Sequence, residues 1–162
     1  MAFDGTQQRF GITGPTYGSS TTIAFVANPS SNMGLYAYLM AGASNTLGFI
    51  SQNVGSLQWL NGSDLVAFGA PSGTVGVPFL VTVQQVDGVS LVGRLNGVQV
   101  FSQVPVTALS GRSLNTIGST STGTNFHTGS IAEFCDWGRI LSAGDLGHLE
   151  HALGARYGIA IP

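Results

Sequence analysis

Apolar and polar positions alternate with a period of two over most of this chain, the spacing of strands with one face buried. The alternation is clearest late in the sequence. Phe79, Val81 and Val83 share one face, Asp87-Gly88 makes a turn, Leu91 to Leu95 run back, Asn96-Gly97 makes a second turn, and Val98 to Phe101 form a third strand. Both dipeptides reach positive φ at little cost. Earlier, Thr21 to Ala27 reads as a strand, and Leu35 to Met40 with Thr46 to Ser51 reads as a meander through Gly42 and Asn45. Phe3 to Ile12 reads as an initial strand pair around Asp4 and Gly5, and Ser110 to Thr128 as a loop-rich approach to the last strand. Short strands at this spacing, without strand-helix alternation, predict two antiparallel sheets packed as a sandwich.

The period changes once, near the C-terminus. Ser142 is an N-cap, Asp145 stands where it can return the capping contact, and Leu141 and Leu146 occupy staple positions. Leu146, Leu149 and Leu153 form an apolar stripe, Tyr157 follows one turn later and Gly158 supplies the C-cap. Gly144, Gly147 and Gly154 each cost this helix roughly 0.5 to 1 kcal/mol relative to Ala, so docking on a sheet must hold it.

Length and charge narrow the reading. The 162 residues suit one domain over positions 1–162. No 18-residue apolar run predicts membrane insertion, and Met1 is followed by neither a basic nor an apolar leader region. Charged residues are 7% of the chain, with five Arg, no Lys and a formal charge of -2. Arg9, Arg94, Arg112, Arg139 and Arg156 are scattered, which argues against a nucleic-acid partner. So weakly charged a surface is sticky unless partners cover part of it.

Candidate chemistry is sparse. Cys135 is the single cysteine and reads as a buried, inert thiol; His127, His148 and His151 lack metal-site spacing and read as surface residues. Glu133 and Asp136 have opposite strand parity and Glu150 is on the helix, so no local carboxylate pair suits glycoside hydrolysis. No nucleophile elbow occurs, and no catalytic residue is assigned. The local set best suited to binding is Trp59, Asn61 and Asp64 in Q-W-L-N-G-S-D: a ring can cover the apolar face of a sugar while Asn and Asp orient hydroxyls. Tyr36 and Tyr38 share strand parity and would extend that aromatic face. Core packing and turn formation are the competing roles for each of these residues.

The run F-L-V-T-V-Q-Q-V-D-G-V-S-L-V-G-R-L-N-G-V-Q-V from Phe79 to Val100, followed by F-H-T-G-S-I-A-E-F-C-D-W-G-R-I-L-S-A-G-D-L from Phe126 to Leu146, resembles the concanavalin A-like lectin/glucanase superfamily. Within it, the chain is similar to laminin-G/pentraxin-like domains of bacterial or phage type. Gly129, Ile131, Glu133, Trp137, Arg139, Leu141, Ser142 and Asp145 carry the C-terminal signature. The resemblance implies an all-β jelly-roll sandwich with a short C-terminal helix. In that frame Glu133 is expected to join Arg139 across the strand-to-helix turn, with Trp137 packed beneath it. Asp136 departs from the pattern, since the position is usually apolar in similar domains. Calcium accompanies many such domains, but only Asp64 with Asn61 and Ser63, or Asp4 with backbone carbonyls, offers oxygen ligands here, and no cofactor is assigned.

Together these readings predict a non-enzymatic recognition or assembly module. The expected setting is a phage virion surface, on capsid or tail, with phage structural proteins or further copies of the chain as partners and a cell-surface glycan as ligand. The alternative is a bacterial extracellular carbohydrate-binding module, part of a larger protein; a glycoside-active enzyme ranks below both.

Overall fold

The computed structural model describes residues 2–4, 9–14, 16–29, 37–42, 46–53, 56–69, 76–119, 123 and 127–162. Among them, twelve strands precede one helix: β1 Ala2–Asp4, β2 Phe10–Gly11, β3 Ser20–Pro29, β4 Ala37–Gly42, β5 Leu47–Asn53, β6 Ser56–Asn61, β7 Asp64–Ala67, β8 Phe79–Val86, β9 Ser90–Leu95, β10 Val98–Gln103, β11 Leu114–Ile117, β12 Thr128–Trp137 and α1 Ala143–Tyr157. They form two six-stranded sheets, ordered β1-β12-β3-β8-β9-β10 and β2-β11-β4-β5-β6-β7. Every described pairing is antiparallel. The fold is an all-β jelly-roll sandwich with a C-terminal helix.

Alternation places Ile23, Phe25 and Ala27 of β3 and Phe79, Val81 and Val83 of β8 in the main core, facing Phe49 of β5 and Leu57 and Trp59 of β6. Phe25 meets Phe49 edge-on at 4.6 Å, so the two sheets lock through aromatic contacts at their centre. At one side Phe101 of β10 reaches Phe68, ring centroids 5.0 Å apart. Gly93 makes that reach possible: a Cβ there would overlap the Phe101 ring lying across it.

Two local expectations are corrected. The N-terminal residues do not pair with each other; β1 joins β12 in the first sheet and β2 joins β11 in the second. The segment from Ser110 to Thr128 contains β11, which also pairs with β4. Both strands are short, and their partners are distant in sequence, so no local turn announces them.

The helix covers the outer face of the first sheet. Ser142 caps it, accepting the Asp145 N–H at 3.1 Å while its hydroxyl donates to the Asp145 carboxylate at 2.9 Å. Gly158 closes it in the left-handed conformation at φ 69°. Leu153 and Ile159 pack on Val26 and Leu80. The buried positions are Leu146, Glu150, Leu153 and Gly154, whereas Leu149 is half-buried. At about 100° per residue, the buried arc therefore centres on Glu150 and turns Leu149 toward its margin. Gly154 lets the last residues fold back, since a Cβ would strike Ile161 and the Ile159 carbonyl.

Candidate functional site

The β6–β7 hairpin brings Trp59, Asn61 and Asp64 together, and it turns all three inward. Trp59 is fully buried, 4.8 Å from Phe49 ring to ring. Asn61 donates from Nδ2 to the Thr107 carbonyl at 2.9 Å and to Gln85 Oε1 at 3.3 Å. Asp64 is 3% exposed; its Oδ2 accepts the Thr107 N–H at 2.8 Å and its Oδ1 the Val106 N–H at 3.0 Å. These groups fasten the segment after β10 to the hairpin. The expected open sugar platform is corrected: the indole supplies core area, and the Asn61 amide N–H and the Asp64 carboxylate bond the backbone of residues 106 and 107. Tyr36 lies outside the described residues, and Tyr38 is described only as a β4 position paired with Ile50.

Calcium would compete with existing bonds at this set. Both Asp64 oxygens receive N–H donors and Ser63 donates its own N–H to Thr107 Oγ1, while Asn61 donates through Nδ2 and its buried Oδ1 has no partner among the described residues. A cation would have to displace the bonds that hold the segment. Among the described residues no three His, Cys, Asp or Glu side chains converge as a metal site.

The C-terminal signature is structural. Gly129 and Ile131 are buried in β12, and Leu141 is buried with its N–H donated to Thr22 Oγ1 at 3.1 Å. Trp137 is half-buried, and its carbonyl accepts from Thr21 Oγ1 at 2.9 Å. Glu133 binds Arg156 at 2.8 Å and the Tyr157 hydroxyl at 2.8 Å, so its expected partner Arg139 is corrected to the last turn of the helix. The exposed Arg139 instead contributes its carbonyl, which accepts from Thr22. The Tyr157 hydroxyl, with Arg156, holds the Glu133 carboxyl below its ordinary range.

Several further titratable groups are buried or half-buried. His127 is buried rather than exposed, and burial lowers its pKa to about 4 against the pull of a hydrogen bond with the Ser130 backbone. Burial, then the nearby Asp136 carboxylate, raises Tyr17; burial likewise raises Asp136 despite contacts with Tyr17 and Thr21. Cys135 is half-buried, and burial raises its thiol.

A pocket of 340 Å³ opens between the start of α1 and the outer face of β8, β9 and β10. Its helix side is Ala143, Leu146 and Gly147; its sheet side is Gln84, Val92, Arg94 and Gln99. Glu150, 1% exposed, fixes the arginine: Arg94 Nε lies 2.9 Å from Oε1, and Nη2 lies 3.0 Å from Oε2. Nη2 also donates to the Gly97 carbonyl, and Thr82 Oγ1 donates to Glu150 at 2.7 Å. Gln84 donates from Nε2 to Thr22 and to the Leu141 carbonyl, which leaves its Oε1 uncommitted among the described residues. Sequence reasoning missed this site. Its signal was Glu150, four residues after Leu146 and three before Leu153, a carboxylate inside an apolar stripe that requires a cation on the opposing sheet.

A second surface feature lies on the sandwich's side, where β10 and β7 are the edge strands. Val98, Val100, Val104 and Val106 are exposed along and just after β10, and Leu65 is exposed on β7. Between Asp64 and Arg112 the only charged residues are Asp87 and Arg94. Arg94 is tied to Glu150, and Asp87 accepts the Leu109 N–H at 2.7 Å and the Ser110 N–H at 3.1 Å.

No protein-family model matches this chain, and no curated protein matches it in sequence. Solved structures do share its fold. The native heptameric SAP-like pentraxin from Limulus polyphemus superposes with a TM-score of 0.64 at 18% identity, over 90% of this chain and 78% of that one. A protein from Bacteroides ovatus described as carbohydrate-binding gives 0.69 at 13% identity, over 90% and 45%. The binding domain of botulinum neurotoxin serotype G gives 0.64 at 14% identity, over 93% and 39%. This chain thus spans less than half the length of the latter two.

Proposed function

We propose that this chain is a non-enzymatic recognition and assembly module, displayed in many copies on a virion surface and adhesive toward glycans. The observation that carries the reading is the neutral side wall. An edge strand whose outer N–H and C=O groups have no strand partner among the described residues, with exposed valines and no charge, is a template for a second strand. Copies of this chain, meeting edge to edge through β10, satisfy that template without like-charge repulsion, and phage structural proteins of similar neutrality are the wider partners. The non-enzymatic part is supported by likeness to structures described by what they bind rather than by a reaction, the Bacteroides ovatus protein and the neurotoxin binding domain. The glycan part is supported by likeness to a protein described as carbohydrate-binding. That likeness covers 45% of the longer protein, which favours the second reading, an extracellular carbohydrate-binding module within a larger chain.

Light scattering of the purified chain and cryo-EM of native particles test the first reading. The expected result is a multimer that Val100→Lys dissociates without changing the unfolding transition, because a lysine on an edge strand blocks pairing while touching no core. A chain that stays monomeric at high concentration and is absent from particles overturns it.

A further inference from the structure

We infer that the pocket between α1 and the outer face of β8–β10 is a binding site for one neutral sugar ring, with Arg94 and Gln99 as its polar contacts and Val92 and Leu146 as its apolar wall. The inference rests on the glycan reading above and gives it a location that the sequence did not.

Three observations lead there. The first is space. Ala143 and Gly147, one helical turn apart, put almost no side-chain bulk into the space between helix and sheet, and a Cβ on Gly147 would meet nothing within 4 Å. The resulting 340 Å³ is near the lower end of the roughly 300–1,000 Å³ common to small-molecule sites, room for one ring rather than a chain.

The second is rigidity with spare valence. Arg94 is held by two Glu150 oxygens and the Gly97 carbonyl, all through Nε and Nη2. Among the described residues Nη1 has no acceptor, the Gln99 carboxamide has no side-chain hydrogen bond, and Gln84 Oε1 receives none. A fixed donor beside one carboxamide that can only accept, through Gln84 Oε1, and one that can accept or donate, at Gln99, matches hydroxyls, each of which does both. Because the arginine is already immobilised, a ligand does not bear the entropy of ordering it.

The third is charge. Glu150 balances Arg94 at contact distance, and no other charged residue lines the pocket. An anion therefore meets no net positive field. Val92 and Leu146 instead offer apolar surface to the C–H face of a ring. One shallow site of this kind binds weakly and becomes effective through repeated copies.

The test uses the folded full chain in two-dimensional NMR titrations with glucose, galactose, mannose and N-acetylglucosamine, glucuronic acid as the anionic comparison, and a multivalent sample on a glycan array. The expected result is shift changes at Val92, Gln99 and Gly147 with a neutral sugar. Gln99→Ala should weaken that binding about five- to tenfold, the loss of one hydrogen bond. Gly147→Leu should abolish it while leaving thermal unfolding unchanged or raised, since leucine fills the pocket and favours the helix. Binding by the parent that both variants retain overturns the pocket and leaves the glycan reading standing. Binding of glucuronic acid alone overturns the neutral class. Absence of any glycan signal from the multivalent parent overturns both readings together.

Discussion

The β6–β7 hairpin and the α1–β9 junction each bury a carboxylate, and the two differ in where the uncommitted polar atoms around it lie: Trp59 Nε1 and Asn61 Oδ1 are enclosed without a partner among the described residues, whereas Arg94 lines a pocket. At the hairpin, Asp64 accepts backbone N–H groups through both oxygens, and its neighbour Trp59 lies wholly in the core. At the junction, Glu150 occupies most of the Arg94 guanidinium but leaves Nη1 beside a pocket with two carboxamides. Aromatic, amide and acid in one short run is the composition of a sugar site, yet here those groups complete the fold. Binding capacity resides where held polar groups border open space rather than lying enclosed in the core.

The contrast can be broken by removing one partner at each place. Arg94→Ala strands Glu150 in a desolvated position, and a cost of about 3–5 kcal/mol in chemical unfolding is expected. A change below 1 kcal/mol would mean that water reaches Glu150. Asp64→Asn replaces an acceptor pair with a group that turns one N–H donor against another, so a loss of about 2 kcal/mol is expected. If that variant keeps full stability, the hairpin carboxylate is not the clasp for residues 106 and 107, and an open role for Asp64 returns.

His127 sharpens the comparison from a third region, where burial rather than pairing dominates. The unfolded chain takes up a proton near pH 6.5 and the folded chain only near 4, so the unfolded state is favoured as pH falls through that window. The stability contributed by neutral His127 is complete above pH 6.5, and about 2 kcal/mol of it is lost by pH 5. Urea unfolding between pH 7 and 5 checks this, with His127→Phe expected to flatten the slope. A parent whose stability does not change over that range would place the imidazole in water.

The strand pattern from Phe79 to Phe101, the sandwich class, and the capped helix with Ser142, Asp145 and Gly158 are legible in the amino-acid order alone. These are local consequences of alternation, turn chemistry and capping, each readable within a few residues. Tertiary structure decided the rest. β1 and β2 diverge into opposite sheets because each completes an edge set by β12 and β11, more than 100 residues away. Glu133 pairs with Arg156 rather than with Arg139, which is nearer in sequence, because the helix folds back over its own sheet. The inward facing of Trp59, Asn61 and Asp64, and the meeting of Arg94 with Glu150 across 56 residues, follow from how the two sheets and the helix stack. Burial is a property of the assembled layers, and residue type at a turn does not encode which side of a layer that turn will face.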